Sequence, residues 1–206
     1  NLKPQYTIGN KLIYRYIKET AFAGGNEYLF LETKDVRAAT SRVQSIALED
    51  VYQSYLYTDV ARKNLPYTYN PDINGQFKIV AIDRDDVAVE ADYVQVHFSL
   101  QYPELTNGES IYIYGNYNNY ALSDYNRMTL NIESGLYETN FKLKQGFYNY
   151  KYVIVNKNGD LNEGAISGDF WQTENNYKVL VYYRDLGARY DRIIGFNQVS
   201  STNISN

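Results

Sequence analysis

The stretch Ile111–Tyr120, IYIYGNYNNY, constrains what this chain can fold into more than any other. Ile111 and Ile113 alternate with tyrosines, and this period of two is typical of a strand with two distinct faces. Gly115 then allows the backbone to leave strand geometry, and the asparagines that follow it favour a turn. The stretch therefore predicts a strand that ends in a turn.

Two further alternating runs predict partners for this strand. Gly146–Val155 places three tyrosines and Ile154 on one face, and Gly135–Leu143 alternates in the same way. The chain has 24 tyrosines among its 206 residues. Tyrosine suits a half-buried pleated surface, because its ring packs inside while its hydroxyl stays at the rim. Together these runs predict the centre of a β-sandwich.

Short runs separated by turn residues continue along the whole chain, which predicts an all-β protein of two β-sandwich domains. Ile46–Arg62 fits both helical and strand spacing, and its tyrosines and its neighbours favour a strand. We place the domain boundary near Glu90–Asp92, so that residues 1–90 form the first domain, for which a continuation upstream of the sequence is an open expectation. Residues 91–206 form the second domain and end in a loose polar tail.

Composition and charge exclude several classes of protein. The net charge is −4, from 24 acidic and 20 basic residues that are well mixed, which gives no electrostatic footprint for nucleic acid or an anionic membrane. No apolar run approaches about 18 residues, so no membrane-spanning helix is predicted. The absence of cysteine excludes disulfides and thiolate chemistry. Because the sequence begins at Asn1 without a leader, we expect a processed form or a fragment of a longer protein.

The residues do not form a convincing catalytic constellation. His97 is the only histidine, and it should point away from the core beside Ser99, too close and wrongly directed for a nucleophile and its base. Asp83, Asp85 and Asp86 offer oxygen ligands, but their spacing does not match a calcium-binding loop, and a solvated turn is the better interpretation. We therefore predict that the chain is not an enzyme and has no cofactor or metal site.

Two alternatives from other functional classes stay open. Glu163, Asp169 and Glu174 lie in or near one loop and have the chemistry of paired acids for glycoside hydrolysis. Carbohydrate binding needs an aromatic platform flanked by hydrogen-bonding groups, and Tyr117–Tyr120 and Trp171 have that chemistry. Against this stands the tendency of asparagines to build turns and of rings to pack on a sandwich.

The second half of the chain resembles the early-set, immunoglobulin-like glycogen-binding modules. The matching text is YGNYNNY, GLYETNFKL and GFYNYKYVI. The first motif has Tyr120 where those modules usually place a sugar-stacking tryptophan. The resemblance implies that the two predicted sandwiches are immunoglobulin-like domains of the early-set type.

Five stretches of the chain together resemble the C-terminal part of the type IX secretion system plug protein family of Bacteroidetes, whose members are longer at the N-terminus. These stretches are GGNEYLFLETKDVR (Gly24–Arg37), PYTYNPDINGQF (Pro66–Phe77), EADYVQVHFSL (Glu90–Leu100), LKQGFYNYKYV (Leu143–Val153) and TENNYKVLVYYRDLGARYDRIIG (Thr173–Gly195).

This resemblance implies a periplasmic, non-enzymatic protein associated with the outer membrane. It would close the periplasmic mouth of a very large translocon β-barrel when no substrate is passing. The barrel protein is then the partner, without nucleic acid, cofactor or membrane span, and glycan is a partner only if the chain is instead a carbohydrate-binding module. Because no family motif marks the contact, we predict it at loop tips that present aromatic rings: Tyr117, Asn118, Asn119, Tyr120, Phe170 and Trp171.

Overall fold

The structure, a computed structural model, describes residues 2–82 and 84–201. The predicted all-β sandwich is confirmed. In chain order the strands are β1 (Tyr6–Ile8), β2 (Lys11–Ile13), β3 (Leu29–Glu32), β4 (Val43–Leu48), β5 (Tyr52–Leu56), β6 (Asp59–Val60), β7 (Phe77–Ile79), β8 (Tyr93–Gln101), β9 (Ser110–Tyr114), β10 (Thr129–Asn131), β11 (Leu136–Lys144), β12 (Gly146–Val155), β13 (Leu161–Asn162), β14 (Asn176–Tyr183) and β15 (Arg192–Ser200). Two one-turn helices, α1 (Val87–Glu90) and α2 (Gly164–Ser167), and 3₁₀ turns at Lys18–Thr20 and Asn116–Asn118 accompany them.

The first sheet has the strand order β10-β11-β8-β5-β4, and β6 also pairs with β8. Strand β8 is antiparallel to β11 and parallel to β5. Along β8, Val94, Val96, Phe98 and Leu100 are buried, because alternate residues of a strand face the same side. This face covers one side of the core, as the alternating sequence predicts.

The second sheet is built around β12, which pairs with β3, β7, β9 and β13. Tyr148, Tyr150 and Tyr152 of β12 are almost completely buried. Tyr150 meets Phe98 of the first sheet edge to face, with ring centroids 5.3 Å apart. Aromatic rings from both sheets therefore fill the space between them.

The predicted boundary near residue 90 does not separate two sandwiches. Strand β5 lies beside β8, and β3 lies beside β12. Leu31, Val43 and Leu56 belong to the same core cluster as Phe98 and Tyr150. Residues 29–155 therefore form one sandwich with strands from both predicted domains. The alternating pattern fixes which residues share a face, but it does not encode which strands become neighbours.

A buried polar cluster joins the two sheets at the end of β6. The Asp59 carboxylate accepts hydrogen bonds from the hydroxyls of Tyr150 and Tyr152, each at 2.8 Å, and from Arg42 Nη2 at 2.5 Å. Burial raises the pKa of the Tyr150 hydroxyl, which stays protonated as a donor. Each buried polar group in the cluster thus has a partner, which avoids the cost of an unpaired charge.

Two hairpins lie outside the sandwich. Within the described ranges, β1 pairs with β2 and β14 with β15, and neither pair joins a larger sheet. Strand β15 extends to Ser200, so the predicted loose tail begins with ordered strand, and residues 202–206 of that tail lie outside the described residues. In the same described part of the chain, no helix has the length and apolar character to cross a bilayer.

Candidate functional site

Part of the loop that follows β9, which was predicted to contact a partner, packs against the core instead. The ring of Tyr117 stacks on Phe141 of the core, with centroids 5.4 Å apart, and its hydroxyl donates to the Ile113 carbonyl at 2.8 Å. Burial raises the pKa of Tyr117 well above its ordinary value. Asn118 donates its amide to a backbone carbonyl of the same loop. Tyr117 and Asn118 therefore stabilise the loop and its packing against the core.

The next two residues of this loop adopt left-handed backbone conformations, with φ of 57° at Asn119 and 58° at Tyr120. Asn119 is exposed. The ring of Tyr120 lies 5.0 Å from that of Tyr114, and its hydroxyl is close to that of Tyr28. Burial raises the pKa of both Tyr28 and Tyr120 to about 12. Tyr120 is thus part of a packed tyrosine cluster.

Phe170 and Trp171 lie on the loop between α2 and β14, and they differ in exposure. Phe170 is half-buried, with its ring 5.7 Å from that of Tyr67. Trp171 is 85% exposed. The Phe170 amide donates to the Gly25 carbonyl at 2.8 Å, and Thr173 Oγ1 donates to the same carbonyl at 2.9 Å. The loop is therefore fixed in place while the indole stays in water.

The predicted loop tips stay as two separate groups. Among residues 2–82 and 84–201, neither a hydrogen bond nor a ring contact joins Tyr117–Tyr120 to Phe170–Trp171. Asn119 and Trp171 are the exposed members of the set, and the other four are partly buried. The loop tips that were predicted to contact a partner therefore expose few side chains.

A large cleft, called here the polar cleft, opens beside β12. Its volume is about 1000 Å³. Its walls come from three stretches that are distant in sequence, residues 23–28, 160–165 and 173–175. Tyr102 and Leu105 also line it. Sequence reasoning missed this cleft, because only the folded chain brings the three stretches together.

Lys151 forms part of the wall of the polar cleft. Lys151 as a whole is 8% exposed, and its ammonium group is paired with the Glu163 carboxylate. The same Nζ lies 4.9 Å from the ring centroid of Tyr28 and 5.9 Å from that of Tyr114. An ammonium group held by a carboxylate and two ring faces is well stabilised. Lys151 thus fills an aromatic cage inside the molecule.

Seven carboxylates line the polar cleft, and several of them hold the wall together. Asp72 accepts from the Tyr28 amide at 2.6 Å, and Asp169 accepts from the Gly25 amide at 3.1 Å. The full set is Glu27, Asp72, Glu109, Asp160, Glu163, Asp169 and Glu174.

The acids of the hydrolase alternative all belong to this set. Glu163, Asp169 and Glu174 line the same cleft. Glu163 is paired with Lys151, and Asp169 caps the backbone amide of Gly25. Two of the three acids therefore already have structural partners, and within the described residues no side-chain hydrogen bond or ion pair holds the Glu174 carboxylate.

The hairpin β14–β15, called here the C-terminal hairpin, carries many exposed large apolar side chains. Alternate residues of a strand point to opposite faces, and both faces of this ribbon carry apolar side chains. Tyr190 at the tip is 67% exposed and Phe196 in β15 is 62% exposed. Other exposed members are Val179, Leu180, Val181, Tyr182, Tyr183, Leu186, Ile193, Ile194 and Val199. Sequence reasoning did not predict this surface, because exposure depends on what covers a strand.

The remaining sequence candidates have structural partners. His97 points away from the core, as predicted, where its ring stacks on Tyr55 at 4.2 Å and its Nε2 lies 2.8 Å from Gln53 Oε1. Asp86 caps helix α1 by accepting from the Ala88 amide, so this segment forms a helix start instead of the predicted simple turn. Asp83 lies outside the described residues.

The structure also shows how the possible metal ligands and the possible triad residues are arranged within the described residues. Within residues 2–82 and 84–201, no three His, Asp or Glu side chains are grouped to hold a metal ion. Ser99, the sequence neighbour of His97 on the same face, exchanges a hydrogen bond of 2.9 Å with Thr58 instead.

A solved structure is similar to the chain over nearly its whole length. The crystal structure of a hypothetical protein from Parabacteroides merdae ATCC 43184 matches 97% of this chain, with a TM-score of 0.87 and 37% sequence identity. The chain spans 50% of the length of that protein. No protein-family model and no curated protein matches the chain. The similarity therefore identifies the fold, and the functional argument depends on the residues themselves.

Proposed function

We propose that this chain is a non-enzymatic plug, which closes the periplasmic end of the large outer-membrane translocon barrel of the type IX secretion system. The five stretches that resemble the plug protein family support this function, and the C-terminal hairpin supports its mode of contact. The hairpin falls largely within the last of those stretches, Thr173–Gly195. The observation that carries the proposal is the exposure of apolar side chains on both faces of this hairpin.

An uncovered ribbon of this kind favours a protein partner. A two-stranded hairpin is marginally stable by itself in water, and an antiparallel sheet in solution usually has one polar face. In the C-terminal hairpin, Leu180 pairs with Phe196 across the strands, and both are exposed. A continuous exposed apolar surface marks an interaction site. We therefore assign the barrel contact to this hairpin in addition to the loop tips.

Two charged pairs join the strands of the hairpin near its tip. Arg184 Nε donates to Asp191 at 2.8 Å, and Arg192 Nη2 lies 2.5 Å from Asp185. All four side chains are substantially exposed, so each pair adds little to global stability. Both pairs bridge the two strands at the end where the turn begins. The tip thus presents Tyr190 and Leu186 outward on a defined scaffold.

The sandwich supplies the bulk that a plug needs. Residues 29–155 form one body with a common aromatic core, and close-packed interiors resist deformation. A rigid body blocks a wide pore better than a flexible one, and an amphipathic tyrosine-rich surface suits a contact that must form and break. This division gives the sandwich the blocking role and the hairpin the docking role.

The test is affinity purification of the tagged full-length protein from gently solubilised outer membranes of its native host. The variant Leu180→Lys/Phe196→Glu makes one face of the hairpin charged while the cross-strand pair stays attractive. The matched control Val89→Lys/Ile132→Glu adds the same charges at two exposed apolar positions of the sandwich. Mass spectrometry should find one very large β-barrel protein with the wild type and with the control, and much less of it with the hairpin variant.

Two results would contradict the proposal. One is the recovery of no barrel protein by the wild type in several mild detergents. The other is equal recovery by the hairpin variant and the wild type, which would move the contact away from the hairpin. Thermal unfolding of each purified variant, compared with the wild type, separates a lost contact from a lost fold.

A further inference from the structure

We propose that the N-terminal hairpin, defined here as residues 2–22, docks on the surface of an anionic lipid bilayer. It contains β1 and β2, and it is separate from the C-terminal hairpin, to which the barrel contact is assigned. Docking on lipid goes beyond the plug function and does not depend on it. The inference depends on the charge of this segment, on the exposure of its apolar side chains and on its fixed shape.

The N-terminal hairpin carries a local excess of positive charge. It has four basic residues and one acidic residue, a net charge of +3, whereas the whole chain carries −4. The rest of the chain therefore carries −7, a difference that the net charge of the whole chain conceals. An anionic surface attracts the positive segment and repels the negative body, so the hairpin should face that surface. The basic residues are Lys3, Lys11, Arg15 and Lys18.

Within residues 2–82 and 84–201, no carboxylate forms a salt bridge with any of these four cations. Each of the eight salt bridges there uses a lysine or arginine outside the N-terminal hairpin. Arg15 lies over the ring of Tyr6, 5.7 Å from its centroid. In the C-terminal hairpin, by contrast, Arg184 and Arg192 are paired with aspartates. The positive charge of the N-terminal hairpin is therefore available to an external anion.

Large apolar side chains lie among these cations and are exposed to water. Ile17 is 85% exposed, and Ile8 is 64% exposed. The pairing of β1 with β2 places Ile8 opposite Lys11 on one face, and the next pair along, Thr7 with Leu12, lies on the other face. Both faces of the ribbon therefore carry apolar groups. The exposed set is Leu2, Tyr6, Ile8, Leu12, Tyr14, Ile17 and Phe22.

Local hydrogen bonds give this ribbon a defined shape. The Arg15 amide donates to Gln5 Oε1 at 2.7 Å, and the Tyr16 hydroxyl donates to the Lys3 carbonyl at 2.7 Å. These bonds extend the contact between the two arms beyond the paired residues of β1 and β2. At the end of the segment, the ring of Phe22 lies 5.8 Å from that of Tyr177 in β14. A preorganised ribbon loses less entropy when it binds.

Unpaired cations interleaved with exposed apolar groups match the headgroup region of a bilayer. Lysine and arginine side chains bind lipid phosphates there, while neighbouring apolar side chains enter the boundary with the acyl chains. Tyrosine rings favour the same boundary. An acidic protein, such as the negative sandwich of a second copy, is the other occupant that the charge would attract. Contact between the hairpin of one copy and the sandwich of the next is head-to-tail, and it builds an open filament unless the rotation closes a ring.

Co-sedimentation with lipid vesicles tests the proposal. The purified protein is mixed with vesicles of phosphatidylcholine alone or of equal parts phosphatidylcholine and phosphatidylglycerol. It should sediment with the anionic vesicles, and much less of it should sediment with the neutral ones. Added salt should weaken the binding, because it screens the attraction between the cations and the lipid phosphates.

Charge variants locate the contact. Lys11→Gln/Lys18→Gln removes two cations and should weaken binding to anionic vesicles by about 25-fold, because each basic residue near such a surface contributes about fivefold. The matched control Lys142→Gln/Lys157→Gln removes the same charge from two exposed positions outside the hairpin, and it should leave the binding unchanged. Circular dichroism of both variants checks that the fold is retained.

A tryptophan placed in the ribbon reports whether it enters the interface. In a Trp171→Phe background, Ile17→Trp should give a blue-shifted emission when anionic vesicles are added, because the indole leaves water for the headgroup boundary. The control is Ile132→Trp in the same background. Ile132 is also exposed, at 90%, but it lies in the sandwich, so its emission should not shift.

Several results would overturn the proposal. These are the absence of binding to anionic vesicles at low salt, an equal loss of binding in Lys11→Gln/Lys18→Gln and its control, and unshifted emission of Ile17→Trp during binding. Self-association that Lys11→Gln/Lys18→Gln abolishes, without any vesicle binding, would make the hairpin a contact between copies instead. The vesicles contain no barrel protein, so this test and that of the plug function fail independently.

Discussion

The sandwich and the C-terminal hairpin are built from similar alternating sequences, but their side chains have opposite environments. In β12, Tyr148, Tyr150 and Tyr152 are buried between two sheets. In β14, Tyr182 and Tyr183 remain about half exposed. The alternation determines which side chains share a face, whereas burial depends on whether a second layer covers that face. The comparison shows that, within the described residues, no second sheet covers the hairpin.

This difference has an energetic meaning. Full burial of a large apolar side chain contributes about 1.5–3 kcal/mol. The sandwich gains that free energy when the chain folds, whereas the exposed side chains of the C-terminal hairpin do not contribute it. Under the proposed function, contact with the barrel would supply this burial. Substitutions in the sandwich should therefore lower the free energy of unfolding, whereas substitutions in the hairpin should mainly weaken binding to the proposed partner.

The largest effect is expected from Phe141→Ala in the core. The ring of Phe141 is buried and stacks on Phe98, with centroids 4.9 Å apart. Its removal should lower the free energy of unfolding by about 3–5 kcal/mol, since it leaves a cavity as well as losing apolar burial. Chemical denaturation followed by circular dichroism measures this change. A loss below about 1 kcal/mol would mean that the two sheets do not depend on this ring.

A smaller loss is expected from Gly24→Ala at the wall of the polar cleft. A Cβ on Gly24 would stand 2.1 Å from the Phe170 carbonyl oxygen, so the backbone must shift. We expect a loss of about 1–3 kcal/mol and a changed Trp171 emission. The control is Gly195→Ala in the C-terminal hairpin, where the new Cβ would lie 3.4 Å from Val181. Equal effects of the two variants would contradict a tightly packed wall at Gly24.

The free energy of unfolding should depend modestly on pH because of His97, which lies on the outer face of the first sheet. Burial lowers the pKa of His97, so the folded state favours the neutral ring more than the unfolded state does. The stability that this contributes is complete above the unfolded pKa of about 6.5 and is lost as the pH falls through the lower folded value. His97→Gln should remove this part of the dependence.

Nuclear magnetic resonance can follow this titration directly, because the chain has one histidine. A His97 pKa at or above 6.5 in the folded protein would contradict the burial of its ring against Tyr55. Denaturation midpoints of the wild type and the variant, measured across the same pH range, provide the matching stability data.

The smallest effect on stability is expected from Phe196→Ala in the C-terminal hairpin. Because this ring is largely exposed, the free energy of unfolding should change by no more than about 0.5 kcal/mol. The same variant should reduce recovery of the barrel protein. A stability loss as large as that of Phe141→Ala would mean that the hairpin already has a covering layer, and the contrast between the two regions would disappear.

Much of the strand pattern could be predicted from the sequence, and much of the three-dimensional arrangement could not. The inward faces of β8 and β12 follow from strict alternation, and the outward position of His97 is confirmed with them. The parallel pairing of β5 with β8 was missed, since an alternating strand fits several neighbours equally well. The division into two domains failed for that reason.

The candidate sites show the same limit. Tyr117 was expected at a loop tip, but the turn that follows β9 directs its ring back onto Phe141. The polar cleft combines residues 23–28 with residues 160–165 and 173–175, and a linear pattern carries no signal for that meeting. Trp171 is the one predicted aromatic that the structure leaves largely exposed. The sequence shows that Trp171 is an aromatic residue suited to binding, but it does not show where the folded chain places it.

The central position of β12 has a consequence for how the protein is made. Strands β3, β7 and β9 all hydrogen-bond to β12, and Leu31 pairs with Tyr148, 117 positions later. A ribosome therefore releases three strands before the strand that they require. Until residue 155 has emerged, the nascent chain presents unpaired edges, and such long-range pairing makes folding slow. The second sheet can therefore assemble only after its central strand has left the ribosome.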